Sequence, residues 1–283
     1  MIIIDYNQIA LSNIIAQKLS PEEDLIRHMI LNSIRMYNQK FGKEFGDVVI
    51  ASDGAMSWRR QYFPNYKASR RKGREESDVD WDAIFKTLRT IREELAEYSH
   101  FKVLHIDGCE ADDVIGTLVE RTQEFGNYEP VMIVSADKDF VQLHRFDNVK
   151  QYSPMQKKFV QEKNPRSYFF EHILRGDTGD GVPNVLSGDN VFVDGVRQTP
   201  LSAKKISEFI YHSEDLRSFM NEETYRNYQR NKKLIDLSET PFDLKEKIIN
   251  TYDGYKTPHK SRFLNYLIKK RCKLLIECLE EFY

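Results

Sequence analysis

Short apolar runs alternate with amphipathic periods through the first half of the chain. Ile2-Ile3-Ile4 ends at Asp5, and Val48-Val49-Ile50-Ala51-Ser52 ends at Asp53. Phe101 to Ile106 and Val131 to Ser135 are two further runs, the second stopping just before Asp137. Continuous apolar runs of this length, bounded by polar residues, predict strands buried on both faces. Between them, Glu22 to Phe41 carries Leu25, Ile26, Met29, Ile30, Ile34 and Tyr37 at a helical period. Trp81 to Tyr98 repeats it with Ile84, Phe85, Leu88, Ile91 and Leu95, and Val114, Ile115, Leu118 and Val119 follow Asp112. Strands alternating with such helices predict an α/β domain on a mostly parallel sheet.

After about Val160 the pattern changes. Tyr168 to Leu174, Ile206 to Tyr211, Tyr225 to Ile235, Ile248 to Tyr252 and Phe263 to Leu279 read as helices or loop-separated apolar runs. The expected organisation is an α/β domain over residues 1–160 and a helical C-terminal domain over residues 161–283. Gly188 to Pro200 reads as a polar loop, with a small hairpin at Val191 to Val196.

Composition narrows the class. With 40% hydrophobic residues in 283, the chain can bury a sizeable core, which excludes whole-chain disorder. No apolar stretch approaches the ~20 residues of a membrane span, and Met1 to Asp5 has no basic region of a secretory signal. Cys109, Cys272 and Cys278 are too few and too unpatterned for a disulfide scaffold or a zinc site. A cytoplasmic protein with no membrane partner is the expectation.

Net charge is only −2, but the charges are segregated. Arg59 to Arg74, RRQYFPNYKASRRKGR, holds seven cations and no acid, and Glu75, Glu76, Asp78, Asp80 and Asp82 follow it. Lys256 to Lys273 is a second acid-free stretch, in which Lys269, Lys270 and Arg271 read as a helix end complementing its dipole, with a partner or duplex surface as the alternative. The first stretch interleaves its cations with Trp58, Tyr62, Phe63 and Tyr66, which suits backbone tracking and base stacking on a nucleic acid. Pro64 and Gly73 interrupt helix there, so a mobile segment is expected without DNA.

Parallel α/β sheets collect functional groups at the C-terminal ends of their strands. This sequence puts acids at nearly every such end: Asp5, Asp53, Glu110-Ala-Asp112-Asp113, Asp137-Lys-Asp139, and then Asp177 and Asp180 in a Gly-Asp-Thr-Gly-Asp-Gly segment. Taken alone, each is a turn, cap or helix-dipole residue. Together they cannot share one rim unneutralised, because a close like-charge pair costs ~4 kcal/mol at an effective dielectric near 20. Protonation or bound cations must intervene. An all-oxygen donor set selects hard ions, and an excess of carboxylates over one ion's needs predicts two, Mg²⁺ with Mn²⁺ able to substitute. Asp137-Lys-Asp139 lacks the third ligand and glycine of an EF-hand, and no phosphate-binding Gly-x-x-x-x-Gly-Lys-Ser/Thr loop exists.

The ordered set Asp5, Asp53, Glu-Ala-Asp-Asp at 110–113, Asp-x-Asp at 137–139 and Gly-Asp-x-x-Asp at 176–180 resembles the 5′-nuclease, or flap endonuclease, family. Spacing and the arginine-rich segment most resemble its phage ribonuclease H branch, from Asp5 to at least Lys205. The resemblance implies a PIN-like sheet flanked by helices, with the basic segment at about 56–80 arching over the active site. It implies one metal site from Asp5, Asp53, Glu110, Asp112 and Asp137 and a second from Asp139, Asp177 and Asp180, with Asp113 as an outer partner. Arg59 and Lys67 match positions that contact the scissile phosphate, so these two, with Asp112 and Asp139, are the expected catalytic residues. Arg59, Arg60, Tyr66, Lys67, Arg70, Arg71, Lys72 and Arg74 are expected to bind nucleic acid. Lys204 and Lys205 are expected to meet duplex phosphates at a helix start.

Many members of the family continue past the last acid with a Gly-Ile-Gly-x-Lys-Thr-Ala hairpin that binds duplex backbone. Here Val185 to Arg197 is a longer polar insertion. The implied activity is hydrolysis at 5′ ends or flaps of DNA and RNA–DNA duplexes, removing RNA primers during phage replication in the host cytoplasm. The implied partners are branched or 5′-ended DNA, a single-strand-binding protein and a sliding clamp, for a monomeric enzyme. The rival expectations are a PIN-type ribonuclease and a fork-binding scaffold that does not cleave.

Overall fold

The computed structural model describes residues 1–17 and 22–283, apart from the side chains of Ala16, Gln17, Arg71, Lys72 and Phe125. In chain order the elements begin β1 (Ile2–Asp5), α1 (Tyr6–Gln17), α2 (Glu23–Phe45), β2 (Val48–Ser52), α3 (Trp58–Tyr62), α4 (Ala68–Glu75) and α5 (Trp81–Tyr98). They continue with β3 (Lys102–His105), α6 (Ala111–Arg121), β4 (Val131–Val134), β5 (Val149–Ser153) and β6 (Lys158–Val160). The helical remainder comprises α7 (Pro165–Arg175), α8 (Ala203–Tyr211), α9 (Leu216–Phe219), α10 (Glu222–Ile235), α11 (Phe242–Asp253), α12 (Lys260–Lys269) and α13 (Lys273–Glu277).

The strands form one sheet in the order β3-β2-β1-β4-β5-β6. All neighbours are parallel except β5 and β6. Ile2 and Ile4 face one core, with α2 and α5, while Ile3 faces the other, with α6. Burial on both faces is why β1 is apolar at every position before Asp5. The strand order turns at β1, whose neighbours are β2 on one side and β4 on the other. That is a topological switch point, where an open sheet leaves a crevice at its carboxyl edge.

The helices follow their apolar faces. On α2, Ile26, Ile30, Ile34, Tyr37, Phe41 and Phe45 are buried, and the helix runs four residues beyond the expected Phe41, to Phe45. Gly46 at φ +81° then ends it, a conformation that glycine adopts at little cost. Leu25, expected on the apolar face, is exposed instead. In α5, the Asp80 side chain accepts from the Ala83 N–H, and Ile84, Leu88, Ile91 and Leu95 are buried.

Two expectations need correction. β5 and β6 are absent from the apolar pattern because β5 carries Lys150 and Gln151, yet backbone pairing with β4 recruits it. The segment at Val191 to Val196 is a series of turns rather than a hairpin, with Val193 and Val196 more than half exposed. The helices after β6 keep a small core of their own, where Leu174, Val185, Ile206, Phe209, Leu216 and Met220 pack together, but they also join the sheet's two cores. Leu237 and Ile248 join the α6 side of the sheet, and Phe263, Tyr266 and Leu267 join the α2 side. A further cluster packs the arch residues Phe63 and Tyr66 against Ile173, Leu234 and Ile235.

Candidate active site

The carboxyl edge of the sheet carries the acids. Asp5 is the last residue of β1, 6% exposed, and accepts from the Ser135 hydroxyl at 3.0 Å and the Gln8 N–H at 3.1 Å. Burial, then the charges of Asp53 and Asp137, push its carboxyl up to about 7. Asp53, just past β2, accepts from the Asn7 side-chain amide at 2.6 Å and from the Ala111 N–H at 2.9 Å, which ties β2 to the start of α6. Gly54 permits that approach: a Cβ there would meet the Ile106 carbonyl oxygen at 2.0 Å.

Glu110, Asp112 and Asp113 sit at the N-terminus of α6. Burial and the neighbouring charge of Asp137 push the Asp112 carboxyl well above its ordinary value, against the pull of Lys67. Asp137 follows β4, and burial and Asp139 raise its carboxyl to about 6. Three rim carboxyls thus hold their protons to higher pH than ordinary carboxyls when no cation is there to neutralise them.

The loop holding Asp137 is fixed by residues that no motif singled out. The Gln151 side-chain amide donates to the carbonyls of Ser135 and Asp137 at 2.9 and 2.6 Å, and the Ala136 N–H donates to Gln8 Oε1 at 3.0 Å. A buried amide facing the end of a neighbouring strand carries no sequence signal until β5 is known to lie there.

The last acids come from the turn after α7. Gly176, at φ +67°, ends that helix, and a Cβ on it would lie 2.3 Å from the Val182 carbonyl oxygen. The Val182 N–H closes the turn on the Asp177 carbonyl at 2.7 Å, and the Asp180 N–H donates to Asp177 Oδ1 at 3.0 Å. Beside this turn stands His172, with Nε2 2.9 Å from Asp139 Oδ1 and 3.9 Å from Asp177 Oδ2. No sequence motif singled out this histidine. The available signal was a histidine on the apolar helix leading directly into Gly-Asp.

The basic segment is largely helical. It forms α3 and α4, with Phe63 and Tyr66 buried between them. Lys67 Nζ donates to Glu110 Oε1 at 2.7 Å and lies 3.5 Å from Asp180 Oδ2. Burial opposes its charge, but Asp180, Glu110 and Asp112 hold its ammonium above the usual lysine range. The Tyr66 hydroxyl lies 2.9 Å from Glu110 Oε2 and 2.8 Å from Asp180 Oδ2, and its single proton serves one carboxylate at a time. Arg70 pairs with Asp180. Arg60 and Arg74 are exposed, Arg74 over the Phe85 ring. Arg71 and Lys72 lie in α4, but their side chains fall outside the described ones. Lys204 and Lys205 are exposed in the first turn of α8, capped by Ser202.

Arg59 departs from its expected place. Its side chain is 2% exposed. It donates to the Leu234 carbonyl at 2.8 Å, to Asp113 Oδ2 at 2.9 Å and to Glu110 Oε2 at 3.2 Å. It lies beneath the rim, where it neutralises an acid that water cannot solvate. That acid, Asp113, is fully buried and also accepts from Trp58 Nε1 at 3.1 Å, the Thr240 hydroxyl at 2.7 Å and the Glu110 N–H at 2.8 Å. Burial alone would raise its carboxyl, but Arg59 and these donors hold it below its ordinary value.

Carboxylates clustered at the switch point, with the cations of a helical segment paired to them, mark a nuclease site of the α/β type that is compatible with divalent metal. Residues 1–171 match the 5′–3′ exonuclease N-terminal, resolvase-like domain, and residues 164–282 match the T4 RNase H C-terminal domain. The chain belongs to the 5′–3′ exonuclease family. It is 35% identical to the ribonuclease H of Enterobacteria phage T4, over 99% of this chain and 95% of that one. A 5′–3′ exonuclease of Buchnera aphidicola is 32% identical over 49% of this chain and 47% of its own. Among solved structures, a bacteriophage T5 flap endonuclease with DNA and metal ions matches at TM-score 0.61 and 17% identity, over 89% of this chain and 96% of that one. The T5 5′-exonuclease with bound zinc matches at TM-score 0.60 and 17% identity, over 89% and 97%. These structural likenesses establish the fold, a PIN-like sheet with a helical C-terminal part. The acidic rim is compatible with divalent metal, and no helix among the described residues is long and apolar enough to cross a membrane.

Proposed function

We propose that the protein is a metal-dependent 5′-nuclease that hydrolyses phosphodiesters at the 5′ ends or flaps of DNA and RNA–DNA duplexes, removing RNA primers during phage DNA replication. The observation that carries this reading is the rim itself: Asp5 is buried, Asp112 and Asp137 are half-buried, and all three carboxyls have raised pKa values. Such a site gains more from divalent cations than from protons at neutral pH.

Two Mg²⁺ ions, with Mn²⁺ able to substitute, are assigned to it, one at Asp5, Asp53, Glu110, Asp112 and Asp137 and one at Asp139, Asp177 and Asp180. When bound, such ions lower the pKa of a coordinated water and neutralise charge on the attacking and leaving oxygens of an in-line displacement. The chain's own residues do the rest. Lys67 Nζ turns from Glu110 to a non-bridging phosphate oxygen, where the charge grows most in the transition state. Asp113 and Arg59 fix the Glu110 carboxylate from beneath. Arg60, Arg70, Arg71, Lys72 and Arg74 hold the strand entering the arch, whereas Tyr66, expected among them, is buried and supports the arch from inside, and Lys204 and Lys205 hold duplex phosphates.

This reading gives most of the chemistry to residues 1–160 and duplex contacts to residues 161–283, which also supply Asp177 and Asp180. It expects a monomer in the host cytoplasm, working with a single-strand-binding protein and a sliding clamp.

Incubating a 5′-labelled flap and an RNA–DNA hybrid with Mg²⁺ or with EDTA tests it. Release of short 5′-phosphorylated products in Mg²⁺ alone is the expected result. Binding without cleavage, or cleavage confined to single-stranded RNA, overturns it.

A further inference from the structure

His172 stands at an acidic corner that the ligand set above fills with oxygen alone. Its position follows from local structure. Pro165 opens α7 and Asn164 caps it, and His172 falls in the last turn before Gly176 reverses the chain. Asp177 then comes back beneath the imidazole. Tyr168, one turn earlier, stacks on the ring with centroids 6.2 Å apart and planes 12° apart, which fixes its orientation. The side chain is 15% exposed, and Nε2 points at the two carboxylates rather than at solvent.

The spacing is that of a coordination sphere. Donors on adjacent vertices of an octahedron with ~2.1 Å bonds lie ~3 Å apart, and opposite ones ~4.2 Å. Nε2 is 2.9 Å from Asp139 Oδ1 and 3.9 Å from Asp177 Oδ2, and the three residues offer ligand atoms that all lie within 4.8 Å of one another. An ordinary ion-paired histidine needs one carboxylate. This one is aimed between two, each already assigned to a cation.

We infer that His172 is a nitrogen ligand of the cation held by Asp139 and Asp177, so that this position prefers Mn²⁺ over Mg²⁺. The inference rests on the metal-dependent reading proposed above. Mg²⁺ takes oxygen donors and keeps its waters, whereas imidazole nitrogen is an increasingly good ligand along the first transition row. An imidazole here makes the two positions chemically unequal, the Asp5 side all-oxygen and the Asp139 side mixed.

Pulsed electron paramagnetic resonance of the full chain at saturating Mn²⁺ tests this without any turnover. Wild-type protein should show the hyperfine coupling of a directly bound imidazole nitrogen, altered by ¹⁵N-histidine labelling and absent in His172→Gln. Calorimetric titration of His172→Gln should show one Mn²⁺ site weakened by at least ~10-fold and Mg²⁺ binding changed by less than ~3-fold. If wild-type protein binds Mn²⁺ with no nitrogen coupling, His172 is only a hydrogen-bond partner of Asp139 and the inference fails while the metal reading stands. If no Mn²⁺ binds at all, the metal reading itself is overturned. The wild-type spectrum decides the matter even if the variant does not fold.

Discussion

The Lys67 N–H donates to the carbonyl of Asp180 at 2.7 Å, while the ammonium of the same lysine lies 3.5 Å from the Asp180 carboxylate. The root of the arch and the last acidic turn are therefore one mechanical unit. Lys67 accepts a left-handed backbone, φ +56°, to make both contacts. A non-glycine residue there costs roughly 1–2 kcal/mol, which the paired contacts must offset.

The role of Lys67 in the chemical step is separable from its strain. Lys67→Ala should slow single-turnover cleavage by at least ~100-fold, about 2.7 kcal/mol, while the DNA dissociation constant in Ca²⁺ moves only a few-fold. Arg70→Ala should do the reverse. Lys67→Gly should be equally inactive but should melt at a higher temperature than Lys67→Ala, because glycine tolerates the positive φ. A loss of affinity by Lys67→Ala in proportion to its loss of rate would reduce Lys67 to a phosphate contact.

Metal-free stability should fall as pH rises from about 4 to about 7. Asp5 goes from 3.8 in the unfolded chain to about 7 in the folded one, and Asp137 to about 6. The folded state therefore binds more protons in that window, and its stability drops as they leave. Melting curves in EDTA across that range read the slope, and Mg²⁺ or Mn²⁺ should flatten it. Asp112→Asn should raise the melting temperature in EDTA at pH 7, leave it nearly unchanged at pH 4, and abolish cleavage in Mg²⁺. A flat profile in EDTA would mean that the rim carboxylates are already neutralised from within.

Asp113 supports the site from below, and its removal should show up as unfolding. Asp113→Ala leaves the Arg59 guanidinium buried without its main partner, so urea titration should show a loss of about 3–5 kcal/mol. Thr240→Val removes one donor and should cost only about 1 kcal/mol. If Asp113→Ala unfolds within 1 kcal/mol of wild type, the buried pair is not what holds α3 to α6.

Trypsin should distinguish the two ends of the arch. Arg70 and Arg74 are exposed on α4, whereas Arg59 is buried at its root. Limited digestion of the free protein should cut after Arg70 or Arg74 and spare Arg59. Branched DNA in Ca²⁺ should protect the cut sites. Early cleavage after Arg59 would show that the root detaches in solution.

The strands, the main helices and nearly every rim acid were legible in the sequence for one reason. Apolar period reports which face of an element is buried, and the residue following a buried strand is placed by its neighbours along the chain. Asp5, Asp53, Glu110 and Asp137 needed no more than that. Tertiary structure alone decided the rest. It put β4 beside β1, so that Asp137 and Asp5 sense each other's charge, and recruited the polar β5, whose Gln151 holds the Asp137 loop. It also separated two cations that the sequence makes look alike. Arg59 meets Leu234, 175 residues further on, and is sealed beneath the rim, while Lys67 remains at its edge. His172 became visible only when the turn at Gly176 folded Asp177 back toward it. A charge's role depends on which distant groups desolvate or neutralise it, and local pattern does not encode those contacts.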